Sequence, residues 1–146
     1  MSFISGIENF VAKTRFNITE VKINSARKLF EKVVKDTPVG KPELWKRNPP
    51  VGYVPGQLKA NWQCTLNSPA TSVLNDRDTN GSATISKIRA VLADAGLEDT
   101  IYLTNKVPYA ERIEYFGHSS QAPEGMARIN VAAFQHLVQA EVSKVK

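Results

Sequence analysis

The segment Asp76-Arg77-Asp78-Thr79-Asn80-Gly81 has the spacing that opens a calcium-binding loop, D-x-D-x-N-G. That chemistry also requires a bidentate carboxylate at the twelfth position, which is Lys87. A cation there would oppose the metal, so the segment reads as a turn feeding a helix N-terminus. The chain has two histidines, His118 and His136. Glu111, Glu114 and His118 form the nearest approach to a zinc ligand set, but Gly117 breaks the helical spacing before the histidine, and a surface turn is expected. His136 borders an apolar helix face. Glu111 and Glu114, one turn apart, are the acids a hydrolase would have to use; on one surface helix they read as solvated. Neither G-x-S-x-G nor a Cys/His arrangement is present, and no glycines stand at a phosphate-cradling spacing. The expectation is a protein that is not an enzyme, with no metal and no cofactor.

The remaining chemistry is that of contact. Tyr109, Arg112 and Tyr115 share a helical face, and Tyr and Arg are enriched at interface hot spots. The same residues could instead form a local cluster that fixes a loop, and the sequence leaves both readings open. Trp45 and Tyr53 are aromatic anchors in a proline-rich stretch.

These residues need elements to carry them. Phe3, Ile7, Phe10, Val11, Ile18, Val21, Ala26, Leu29, Phe30 and Val33 recur at three- and four-residue steps, which predicts one helix over 3–36. It would be roughly 50 Å long, more than one small domain can cover, so part of its stripe is expected to pack on another subunit. Asp36-Thr37-Pro38 ends it. Residues 38–56 hold five of the eight prolines and three of the eight glycines and read as a long loop. Alternation from Leu58 to Leu66 predicts a strand with Trp62 and Cys64 facing inward. A helix over about 82–95, a second strand at 100–104, a short helix at 109–116 closed by Gly117, and a terminal helix over about 125–144 complete the order. The expected fold is α+β, a small antiparallel β-sheet packed against a long N-terminal helix and a C-terminal helix, in a single domain spanning 1–146.

Length and composition agree. The 146 residues are 42% hydrophobic and 23% charged, ordinary for one globular domain. No apolar run is long enough to span a membrane, and the start lacks the pattern of a secretory signal, so synthesis in the cytoplasm is expected. A lone Cys64 suits a reducing compartment. The net charge of +5 is uneven: residues 1–75 carry 11 Lys and Arg against 5 Asp and Glu, while residues 76–146 carry 8 against 9. The basic half reads either as a solvated helix face or as a nucleic-acid-binding module.

Three segments bear a resemblance. Thr37-Pro38-Val39-Gly40 followed by Gly56-Gln57-Leu58-Lys59-Ala60-Asn61-Trp62 resembles the TPVDTGRLRxxW signature of tail-completion and neck proteins of tailed phages. Ile101 through Tyr115 is similar to their xYxxNxxPYAxxxEYG block, and Gln121-Ala122-Pro123-Glu124-Gly125-Met126 to their QAPxGM ending. The match covers about half the chain, with two departures: residues 41–54 expand the VDTG turn, and Phe116 intervenes before Gly117. The resemblance implies a virion protein that forms a homo-oligomeric ring, with a hexamer expected, at the head–tail junction or the top of the tail. It would join tail to capsid connector during assembly in the host cytoplasm, or cap the tail tube as a terminator. Its partners would be head-completion or adaptor, terminator and tail-tube proteins, around a DNA path read without sequence specificity and away from any membrane. The interface residues expected on this reading are Trp45, Tyr53, Tyr109, Arg112, Glu114, Tyr115, Gln121, Pro123 and Met126.

Overall fold

The computed structural model of the chain describes residues 2–41, 51, 53–117 and 119–145. Helix α1 runs Phe3–Asp36, as its periodicity predicts. Ser2 caps its start, its hydroxyl accepting from the Ser5 N–H at 3.2 Å. Thr37 leaves the helix in an extended conformation ahead of Pro38. Only the second half of α1 is covered: Ala26, Phe30, Val33 and Val34 are buried, whereas every residue from 7 through 16 is exposed.

The predicted strand over 58–66 is corrected. Residues Gln57–Ala60 form a short helix, α2, and only Gln63–Leu66 form strand β1. Gly56, at φ 87°, turns the chain into α2. Period two fails because Lys59 and Asn61 are buried along with Leu58, Ala60 and Trp62. Asn61, fully buried, explains the turn: its side chain donates to the carbonyls of Gln57 and Leu74 and accepts the Leu74 N–H at 2.7 Å. Cys64 does face inward, and burial pushes its thiol up to about 11.

Strand β1 pairs antiparallel with β2, Ile101–Thr104, placing Cys64 opposite Leu103. Between them lies helix α3, Ser82–Ala93. The Asp76–Gly81 segment is the turn that feeds it: Asp78 accepts the N–H groups of Gly81 and Thr84 and the Thr84 hydroxyl, while the Lys87 ammonium sits 2.6 Å from the Asp76 carboxylate. Burial alone would raise the Asp78 carboxyl; those donors hold it below its ordinary range. Helix α4, Ala110–Phe116, ends at Gly117, as expected.

The single terminal helix predicted over 125–144 is two helices, α5 (Arg128–Ala132) and α6 (Phe134–Val142), broken at Ala133. Nor is the apolar face of that stretch, Ile129, Ala133, Leu137 and Ala140, the buried one. Ile129, Ala133 and Ala140 are exposed, and the buried positions are Asn130 and Glu141. Polar ties dock this end on α1: Asn130 donates to Asp36 at 2.9 Å, and Glu141 pairs with Lys28. With Asn130 near the end of α1 and Glu141 earlier along it, α5 and α6 run antiparallel to α1.

The core joins Phe30, Val33 and Val34 of α1 to Leu58, Trp62, Ile88, Leu92, Val107 and Met126. The fold is therefore a small α+β structure in which helices cover a two-stranded antiparallel sheet. Among the described residues no helix is long and apolar enough to cross a membrane.

Trp62 tests this core. Its ring is buried and its indole N–H donates to the Thr37 hydroxyl at 2.7 Å, which itself donates to the Val33 carbonyl. Trp62→Ala is expected to destabilise the fold by about 3–5 kcal/mol in a denaturant titration. An unchanged midpoint would remove Trp62 from the core.

Candidate protein interface

The three segments that carry the resemblance meet in space. The Thr37-Pro38-Val39-Gly40 end of α1 receives Trp62 through its indole N–H and Gln121, whose amide donates to the Val39 carbonyl at 2.9 Å. Asn105 donates to the Leu58 carbonyl at 2.8 Å, tying the strand β2 exit to α2. Tyr53 leans on Tyr109, ring centroids 6.3 Å apart and tilted by 54°. A Cβ on Gly40 would fall 1.7 Å from the Tyr53 hydroxyl, so only glycine lets that ring lie where it does.

Glu114 is the central tie. It is buried at the end of α4, and its carboxylate accepts the N–H groups of Met126 (2.7 Å), Ala127 (3.0 Å) and Arg128 (2.7 Å). Burial by itself would raise its pKa; the three donors and the nearby Arg128 guanidinium outweigh burial and hold it lower. The chain reaches these donors through Gly125, at φ 98°, where a Cβ would lie 2.7 Å from the Glu114 carbonyl oxygen. A carboxylate at 114 and a glycine at 125 are thus one device, and Met126 beyond it is fully buried.

The expected interface residues divide accordingly. Tyr53 and Tyr109 are half-buried against each other, and burial followed by the neighbouring Tyr53 pushes the Tyr109 hydroxyl up to about 12. Glu114 and Met126 are interior. Tyr109, Arg112 and Tyr115 do not form one exposed patch, because Tyr109 turns inward to the core. Arg112, Tyr115, Gln121 and Pro123 are exposed. Trp45 lies outside the described residues, as do His118 and most of the proline-rich loop between 42 and 52. Glu111 and Glu114 both line the groove beside α4, Glu111 exposed and Glu114 committed to backbone donors. Among the described residues no group of three or more His, Cys, Asp or Glu is placed to hold a metal.

What the surface offers is apolar. A groove of about 570 Å³ is lined by Trp62, Ala110, Met126, Tyr115, Arg128 and Val131, among others. Beside it Phe116, Ile129 and Val131 are exposed, and the Arg128 guanidinium lies 4.9 Å above the Tyr115 ring. Arg128 is a member of this surface that the sequence reading did not single out; its place two residues after Met126 was the available signal. Of the eleven Lys and Arg in the basic half, five, all on α1, are engaged. Arg15 pairs with Glu98, Lys22 donates to the carbonyls of Gly96, Leu97 and Asp99, Arg27 and Arg89 share Glu31, Lys28 meets Glu141, and Lys32 meets Asp36.

Glu114→Gln keeps the shape but replaces two acceptor oxygens by one and adds donors that face N–H groups. The variant is expected to lose about 1.5–3 kcal/mol at neutral pH. Because the folded-state pKa lies below the ordinary value of about 4.3, the carboxylate's contribution is complete above that value and disappears as pH falls through the folded pKa. The stability gap between wild type and variant should therefore narrow on acidification from about pH 5 to pH 3 in parallel melts; a gap constant across that window would show that the three N–H donors do not depress the carboxyl.

No protein-family model, no curated protein and no solved structure matches this chain in the three comparisons made, so the site stands on its own geometry.

Proposed function

We propose that the chain is a structural protein of a tailed-phage virion, acting by protein contact in a ring at the head–tail junction or the top of the tail. The observation that carries the reading is the convergence of the three motif segments. Thr37 with Trp62, Leu58 with Asn105, Val39 with Gln121, and Glu114 with residues 126–128 are all mutual contacts.

Two further features support it. The exposed length of α1 and the Tyr115–Phe116–Val131 surface both offer apolar area that a lone soluble chain does not need. A ring subunit must bury one surface on each side against its neighbours. The alternative station, a terminator capping the tail tube, uses the same kind of surface. A phosphate-binding module is supported less, since five of the seven Lys and Arg on α1 are held by carboxylates or carbonyls. Such a module would bind arbitrary duplex DNA with an affinity falling steeply with salt.

Arg112 and Tyr115 are exposed and touch the partner on this reading. Replacing both by Ala should cost about 1 kcal/mol, mostly the Arg128–Tyr115 contact, and leave the chain folded. The doubly substituted chain should nevertheless be missing from purified particles, which would accumulate as unjoined heads and tails. Infectious particles at wild-type yield, containing the variant, would refute this use of the surface. Tight, salt-reversible duplex binding by a chain absent from particles would refute the reading as a whole.

A further inference from the structure

The chain presents two apolar surfaces at opposite ends of α1. The first is the stem ahead of the core. Phe3, Ile4, Ile7, Phe10 and Val11 fall within one stripe of about 120° on a helix of 3.6 residues per turn, with Ser5, Asn9 and Ala12 on the opposite face. Phe3 is 84% exposed and Phe10 69%. The second surface is the groove lined by Trp62, Ala110, Tyr115, Met126 and Val131, with Phe116 exposed beside it. It lies at the far end of the helix, where Trp62 bonds Thr37, and Asn130, next to Val131, bonds Asp36. Phe10 and Asp36 belong to one unbroken helix and stand roughly 39 Å apart along it, at 1.5 Å per residue. No copy can therefore lay its own stem in its own groove.

We propose that residues 3–11 of one copy dock into the Tyr115–Val131 groove of the next, so that copies join head to tail. The inference deepens the ring reading by naming the joint, and rests on it in taking the neighbour to be another copy. Each copy then offers one stem and one groove, and two different surfaces meet at every joint. Such a heterologous contact closes into a ring when its rotation permits, and its joints lie around the circumference, leaving the axis open. An amphipathic helix laid into an apolar groove is read through anchors at i, i+4 and i+7, the spacing of Phe3, Ile7 and Phe10. Trp62 and Met126, both buried, line that groove, so a Phe ring entering it meets the core directly.

Area and charge select this occupant. On the stem, Phe3 and Phe10 leave on the order of 300 Å² uncovered between them, taking about 200 Å² for each whole side chain. At the groove, Tyr115 and Phe116, 58% and 66% exposed, leave about 250 Å² on the same basis. Ile4, Ile7 and Val11 add to the first surface, and Ile129 and Val131 to the second. The two are thus of similar size, each a large part of the roughly 800 Å² that one partner brings to a standard interface. Their charges are complementary. Lys13 flanks the apolar stripe and enters none of the ion pairs among the described residues. Neither does Glu111, which lines the groove and is exposed. A pair between Lys13 of one copy and Glu111 of the next borders the apolar contact and sets its direction.

The test uses the purified full chain and a short bis-maleimide. Phe10→Cys alone and Val131→Cys alone should stay unlinked, whereas a mixture of the two should give a covalent heterodimer. With both substitutions in one chain the product should be a ladder of multimers, since the two positions are too far apart to be bridged within a copy. Native Cys64 is buried and serves as the unlinked background. Adding Ile7→Asp, at an exposed position, should abolish the ladder and leave the melting temperature unchanged. Capture of either thiol by its own kind would mean like surfaces meeting and overturn the proposal. So would a mixture that stays unlinked, or a ladder indifferent to Ile7→Asp. A ladder from a chain absent from purified particles would keep the joint and remove the ring reading; a chain present in particles with its two thiols unlinked would do the reverse.

Discussion

A single buried carboxylate ties together one side of this protein. Three backbone N–H groups at the start of α5 converge on Glu114, so the end of α4, the Gln121–Met126 loop and the beginning of the terminal helices move as one piece. The loop between α4 and α5 has no regular partner for its backbone, and a buried N–H left unpaired costs as much as a lost hydrogen bond. The apolar groove beside it, and the Tyr115–Arg128 contact, exist because this loop is fixed.

The second half of the scaffold depends on α1 in the same economical way. Its final turns present Phe30, Val33 and Val34 to the core, and its exit at Thr37 and Val39 supplies acceptors for Trp62 and Gln121. One helix therefore serves two masters: its C-terminal half is a wall of the core, and its N-terminal half is surface. Packing explains the first half completely and leaves the second without an internal reason.

Much of this was legible in the residues. A helix of 34 residues announces itself by period, and Asp36-Thr37-Pro38 marks its end, because both signals are local. The α3 and α4 helices and strand β2 were legible for the same reason. The stretch from Leu58 to Leu66 was not, since an α-turn followed by a short strand can mimic alternation when Asn61 is buried by its own hydrogen bonds. The terminal helix was misread at Ala133, which carries no breaker, and its docking face was missed because the anchors are polar, Asn130 and Glu141, where periodicity looks for apolar residues. The role of Glu114 lay equally out of sight: a side chain that bonds to backbone twelve residues away leaves no trace in spacing, and its acid invites a catalytic or surface reading. Tyr109 shows the converse, an aromatic whose type suits an interface and whose place is against Tyr53.

The contact between Gly40 and the Tyr53 ring has a consequence for how such a chain can diversify. It sets the Tyr53 ring against the backbone of a residue thirteen positions earlier, so positions 40 and 53 are held together by a contact of their own. Lengthening a segment whose ends are already clamped adds only a logarithmic entropy, about 0.6 kcal/mol for each doubling. The place where this chain departs from the short turn that it resembles is accordingly one where added length costs little.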